Sequence, residues 1–242
     1  PHPHAARHGR DLAMLAGDIQ QAWSNHLIAC ADGLDADLRL ALLARLNGVV
    51  NPDLISGEAR DVEFELRPHA EIARDEMLRM LQKKTGRLLR FAAEAGGMIG
   101  LTTTDPDHTA VQALGKFAAA AGTAFQLRDD LLGMYGDEDR LGKPVGSDLR
   151  RHKRTMLFAE GLALAADDAR TQLERLLNKP DIDAGDVAAA RRLLDDCGAR
   201  SAVEQHMTAA AAEARGALQE LPANDCRGLL EQWLDYLVTR ES

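Results

Sequence analysis

The sequence predicts an all-α protein, a bundle of helices without a sheet. Alanine and leucine, the strongest helix formers, are abundant. Apolar residues recur at spacings of three and four, the period of a helix face. Gly and Pro fall between these runs as punctuation, and no run alternates in the manner of a half-buried strand.

The helical runs can be placed in order. In RDLAMLAGDIQQAWSNHLIACA, Leu12, Leu15, Ile19, Trp23 and Leu27 share one stripe. The pattern repeats from Asp35 to Val50 through Leu38, Leu42, Leu46 and Val49. Asn51-Pro52 breaks it, with Asn as N-cap and Pro as first helical residue of a new segment. A third helix is expected from near Pro68 into LQKKTGRLL, and an apolar stretch follows Gly86 as far as Leu101. The longest helix is expected to end at Tyr135, with Asp105 capping and Pro106 in the first turn. Val111, Leu114, Ala118, Ala121 and Phe125 form its inward stripe. Past a glycine-rich loop over Gly136–Lys153, further helices break near Lys179-Pro180, Gly198 and Pro222. No fixed-period repeat or low-complexity linker divides the chain, so residues 1–242 read as a single domain.

Composition narrows the function. With 38 acidic against 29 basic residues and a net charge of −9, the chain lacks the basic face that phosphate-backbone binding requires, and nucleic acid is not expected as a partner. Cys30, Cys197 and Cys226 have no CxxC spacing, which predicts reduced thiols in a cytoplasmic protein. No apolar run approaches the roughly 20 residues of a membrane span, so the chain is not expected to be integral to a membrane. The Pro-interleaved His2, His4 and His8 read as a flexible chain end.

The chemistry concentrates in FQLRDDLLGMYGDEDRLGKPVGSDLRRHKRT, residues 125–155. Asp129 lies one helical repeat after Phe125, near the inward stripe, and Gln126 and Asp130 are four apart on a neighbouring face. A core-directed carboxylate is costly unless it is paired or binds a cation. Taken alone, the two aspartates also suit a solvated helix end. Lys84 alone also suits a cation at a helix C-terminus, and Lys153 a solvated basic turn. The loop tips this balance: Lys143 sits between Gly142 and Pro144, and Lys153 follows. Carboxylates gripping a diphosphate through Mg²⁺, with lysines gripping it directly, reconcile adjacent acids and bases.

These residues resemble the second aspartate-rich region of trans-isoprenyl diphosphate synthases, the polyprenyl synthetase family, where FQxxDD is followed by GKxxGxD and a later lysine. LAMLAGDIQQAW, ISGEARDVEFE, KKTGRLLRFAAEAGG and DCGARSAVEQHMTAAAAEARGALQELP resemble further family segments in the family's order. The co-occurrence of KT, FQxxDD and GKxxGxD is the specific signal. The resemblance implies an isoprenoid-synthase helical bundle around a central cavity, usually homodimeric, that condenses isopentenyl diphosphate with an allylic diphosphate. The DDLLG form implies the geranylgeranyl-type subgroup. By the same resemblance Asp129 is a magnesium ligand, supported by Asp130. Lys84, Lys143 and Gln126 contact the allylic diphosphate, and Lys153 is an accessory cation. Thr85 shapes the reacting centre and Phe125 walls the isopentenyl site. The catalytic group is therefore Lys84, Thr85, Gln126 and Asp129. Asp18 and Asp61 match family positions and are expected to form structural hydrogen bonds or to line the cavity.

The sequence departs from the family in three places. Gly133 stands where the second motif has its third aspartate, and Glu58 where the GQ segment has Gln. The first aspartate-rich motif and the upstream basic residues do not occur in these 242 residues. We expect them upstream of Pro1; the alternative is a noncatalytic partner subunit of a prenyl synthase.

Overall fold

The computed structural model describes residues 3–138, 142 and 144–241, with side chains from His8 onward. Among these residues the regular structure is helical throughout. Helix α1 (Pro3–Ala29) is followed by α2 (Ala36–Arg45), a π-turn over Leu46–Val50 and α3 (Asn51–Glu65). The stripe on α1 is real in spacing but faces outward: Leu12, Leu15, Ile19, Trp23 and Leu27 are all exposed.

The expected break at Asn51-Pro52 does not occur. Asn51 is itself helical (φ −61°, ψ −45°), and its N–H donates to the Leu46 carbonyl five residues back. Proline removes a backbone donor and crowds the preceding turn. A widened turn immediately upstream lets the helix absorb it without ending. The extra residue also changes which valine turns inward: Val50 is buried and Val49 is exposed.

The next helix starts later than expected. Pro68 is extended, His69–Glu71 form one 3₁₀ turn, and α4 spans Arg74–Leu81. The Glu76 carboxylate accepts the Ala73 N–H at 3.3 Å, supplying the N-terminal partner that alanine cannot. A second π-turn, Gln82–Gly86, carries the KT residues, with the Arg87 N–H donating to the Gln82 carbonyl. Helix α5 (Arg87–Leu101) continues from it.

Helix α6 runs from Thr109 to Tyr135 and is the axis of the molecule, packing along α5 and a later helix over Ala199–Gln219. It begins four residues after the expected cap. His108 caps it, its Nδ1 accepting the Ala110 N–H at 3.2 Å, while Asp105 accepts from Asp107 in a separate turn. Short side chains compete for local backbone donors, which is why Asp105 stabilises a turn in place of the helix. Val111, Ala118 and Ala121 are buried as expected, and Phe125 is partly buried.

After the loop come α7 (Ser147–Arg150), α8 (Met156–Leu164), α9 (Asp167–Leu177), α10 (Ala184–Asp196), α11 (Ala199–Gln219) and α12 (Asp225–Thr239). Ala118 and Ala121 on α6 meet Ala211, Ala214 and Ala217 on α11, so small side chains bring these two helices close. A larger core joins Leu127, Leu131 and Met134 to Phe64, Met77, Phe158 and Leu173. Fully burying a side chain of this kind contributes about 1.5–3 kcal/mol before conformational entropy is charged. These contacts fix the C-terminal half of α6 against α8, and the predicted chemistry lies on that half.

Candidate active site

The site begins with the period of α6. Three residues separate Gln126 from Asp129 and four separate it from Asp130, so these side chains project from neighbouring positions on one side of the helix. Asp130 is buried, with 1% relative exposure, and the Asp129 side chain is half-open at 44%. Burial is paid for at Asp130 by direct partners. Its Oδ2 accepts the Met156 N–H at 3.0 Å, and its Oδ1 lies 3.4 Å from both Lys153 Nζ and Gln126 Nε2. Burial pushes the Asp130 carboxyl up to about 6; Asp148 adds to the rise, and Lys153 and the Met156 N–H oppose it.

Lys153 is the hub. Its Nζ lies 3.4 Å from Asp130, 3.4 Å from Asp148 and 3.7 Å from Asp129. Burial alone would lower this ammonium; the carboxylates of Asp130, Asp148 and Asp129 outweigh it and the net shift is upward. A line of hydrogen bonds then leads from α6 to the π-turn. Gln126 donates to Asp130, and the Thr85 hydroxyl donates to Gln126 Oε1 at 3.4 Å. Beside Thr85, Lys84 is clamped by Glu58 at 2.9 Å and Asp61 at 2.5 Å, both from α3. Burial opposes the Lys84 charge, but the two carboxylates raise its pKa overall.

The structure therefore brings Thr85, Gln126, Asp129, Asp130 and Lys153 into one connected group, with Lys84 at its edge. Phe125 is adjacent, its ring under the guanidinium of Arg240 at 4.2 Å. Lys143 lies outside the described residues. A groove of about 350 Å³ between α4, α5, α6 and α11 is lined by Arg79, Lys83, Arg87, Arg90 and Thr123, and by none of the predicted site residues.

Sequence reasoning assigned no site role to Asp148, Glu58 or Arg240. Asp148 contributes a third carboxylate; its place in the GSD triplet was the available signal. Glu58 holds Lys84 beside Asp61, whose expected structural hydrogen bond is the one it accepts from Lys84 Nζ, and their spacing of three on one helix was a signal for a shared partner. Arg240, 3.4 Å from Asp129, lies 111 residues away in sequence and gave no signal.

Asp148 also accounts for Gly133. A Cβ built on Gly133 would stand 2.2 Å from Asp148 Oδ2 and 2.4 Å from its Cγ. The Asp148 carboxylate fills the space beside the helix at the position where the family pattern has another aspartate. Asp148 itself belongs to the family's own GKxxGxD pattern and does not replace the missing acid on α6.

The donor set suits a hard divalent cation in a limited way. Magnesium is typically held by one or two carboxylates, with phosphate and water completing its octahedron. Asp129 meets that requirement: it is half-open, and its two cationic neighbours stand at 3.4 and 3.7 Å, longer than tight charge-assisted bonds. Asp130 has both oxygens engaged, which suits it to supporting Asp129 and holding Lys153. Among the described residues no three His, Cys, Asp or Glu side chains converge to hold a metal unaided. No helix among them is long and apolar enough to cross a membrane.

The polyprenyl synthetase sequence profile matches residues 2–194. Farnesyl diphosphate synthase of Geobacillus stearothermophilus is 33% identical over 186 residues, 74% of this chain and 60% of that protein. The crystal structure of geranylgeranyl pyrophosphate synthetase from Pyrococcus horikoshii superposes with a TM-score of 0.86 at 30% identity, over 96% of this chain and 68% of that one. Geranylgeranyl pyrophosphate synthase from Corynebacterium glutamicum, solved with isoprenyl diphosphate and magnesium, superposes with a TM-score of 0.81 at 25% identity, over 95% and 63%. The chain thus spans 60% of the length of the Geobacillus relative.

Proposed function

The chain belongs to the polyprenyl synthetase family, and from that premise we propose that it is a magnesium-dependent prenyltransferase. The reaction condenses isopentenyl diphosphate with an allylic diphosphate to a linear isoprenyl diphosphate, with geranylgeranyl diphosphate as the product the DDLLG pattern favours. The observation that carries this reading is the hydrogen-bonded line Thr85–Gln126–Asp130–Lys153 ending beside a half-open Asp129.

Asp129 would hold magnesium, which when bound draws charge from the departing diphosphate. The chain's own residues do the rest. Lys84 and Lys143 bind the diphosphate as point charges, and Lys153 holds the surrounding carboxylates in register. Gln126, fixed at one end by Thr85 and at the other by Asp130, presents its amide to the leaving group. The Thr85 hydroxyl and Gln126 carbonyl place partial negative charge where the allylic carbon becomes positive. Phe125 covers the isopentenyl side with an apolar ring. Asp130 stays engaged with the Met156 N–H and keeps α6 and α8 aligned during turnover. The family reading also carries a homodimer and a cytoplasmic location.

The test is incubation of the purified natural protein with labelled isopentenyl diphosphate, an allylic primer and Mg²⁺. A prenyl diphosphate product is expected. No product under these conditions favours a noncatalytic partner subunit.

A further inference from the structure

We propose that Arg240 is a positioning residue, the resident counter-ion of Asp129, which a divalent cation must displace to bind that carboxylate. The inference rests on the reading of Asp129 as a metal ligand.

Arg240 follows the last residue of α12 and is fastened by its backbone, not by its charge. Arg128, the residue before Asp129, donates from Nε and Nη2 to the Arg240 carbonyl at 2.9 and 2.7 Å. The side chain then folds back over α6. Its guanidinium lies 4.2 Å from the centre of the Phe125 ring, and its Nη2 sits 3.4 Å from Asp129 Oδ1. The Arg240 Nε is buried without a hydrogen-bond partner. The ring and the backbone clamp therefore account for where the side chain sits, since the ion pair is long and leaves Nε unsatisfied.

This arrangement separates two properties. The arginine stays in place by stacking and by its main chain, while its bond to Asp129 is weak enough to exchange. Lys153 approaches the other oxygen of Asp129 at 3.7 Å but is shared with Asp130 and Asp148. So the guanidinium is the cation with which an incoming metal ion competes at Oδ1. A free cation must overcome that competition alone, which makes capture of metal weak until a diphosphate contributes its own oxygens.

The experiment measures Mn²⁺ binding, as a paramagnetic probe, to the unmodified chain and to Arg240→Gln, Arg240→Lys and Asp129→Asn, without diphosphate. Arg240→Gln is expected to bind Mn²⁺ about fivefold more tightly, the size of one partly exposed ion pair. Arg240→Lys, which keeps the charge, is expected to stay within about twofold of the parent. Unchanged or weaker Mn²⁺ binding by Arg240→Gln overturns the inference, provided Asp129→Asn abolishes binding. If Asp129→Asn binds Mn²⁺ as the parent does, the metal reading of Asp129 itself fails and this inference falls with it. A circular-dichroism melt of each variant confirms that a folded chain is compared.

Discussion

Helix α6 has a glycine near each end that makes room for a carboxylate from a neighbouring helix, and the two carboxylates have opposite fates. At Gly115 an added Cβ would lie 2.5 Å from Glu94 Oε1; at Gly133 it would lie 2.2 Å from Asp148 Oδ2. Glu94 is buried and enclosed by cations. Arg45 donates from Nε at 2.8 Å and from Nη2 to Oε2, and Arg90 donates to Oε1 at 2.7 Å. One acid there meets two arginines. At the Gly133 end, Asp148, Asp130 and Asp129 crowd around Lys153, and only Asp129 opens to solvent. The same device, a helix glycine accommodating an acid, builds a closed structural lock at one end. At the other it builds a cluster rich in carboxylates, with an acceptor to spare. Excess negative charge, not burial, separates a site from a strut.

Asp129→Ala breaks the comparison at the functional end. It deletes an open carboxylate and almost no core volume, so prenyl transfer is expected to fall by orders of magnitude while the thermal midpoint stays put. Steady-state assays beside a melt check this, and near-parental turnover would remove Asp129 from the mechanism.

Glu94→Ala tests the other end. It leaves Arg45 and Arg90 facing each other without an acid, at a cost of about 3–5 kcal/mol in urea unfolding. The comparison fails if that variant is stable but inactive. Gly133→Ala should sharpen the contrast, because its methyl collides with the Asp148 carboxylate. The expected loss is about 1–3 kcal/mol from overpacking, together with about tenfold in rate from displacement of Asp148.

A third region calibrates the acid response. Burial, with help from Arg154 and His152, pushes His69 down to about 4. Its folded form therefore refuses a proton that the unfolded chain accepts near the ordinary value of 6.5. Stability from this residue is intact above about pH 6.5 and declines as pH falls toward 4, by about 1.4 kcal/mol at pH 5.5. His69→Leu should flatten that part of the pH–stability curve without moving prenyl-transfer activity.

Much of this was legible before any coordinates. The helical period located the inward stripe of α6, and the same period set Asp129 near that stripe with Gln126 and Asp130 on a neighbouring face; the structure reverses the two aspartates, burying Asp130 and leaving Asp129 half-open. What escaped was whatever the one-dimensional pattern cannot encode. The α1 stripe has the right period and the wrong exposure, because periodicity defines a face and not what lies against it. Pro52 looked like a helix start because the preceding π-turn has no composition signal. Asp105 looked like a cap because its competing turn is equally local. Arg240 and the Glu58–Asp61 clamp on Lys84 depend on helices crossing, and only tertiary packing fixes those crossings.

The π-turn at Gln82–Gly86 also carries a consequence for how the chain tolerates change. A π-turn takes up one residue more than an α-turn, so this turn sets the phase of α4, ahead of it, against Arg90 and Glu94, behind it. Deleting one residue from the regular part of α5 before Glu94 would swing the rest of that helix by about 100°, like a misaligned gear, taking Glu94 away from Arg45 and Gly115, whereas a single deletion inside the π-turn converts it to a regular turn. Length changes, ordinarily harmless in loops, are therefore more damaging inside this helix than most side-chain replacements. A deletion scan across residues 80–90, read by thermal melts, would show the smaller loss of stability inside the turn and the larger one in α5 beyond it.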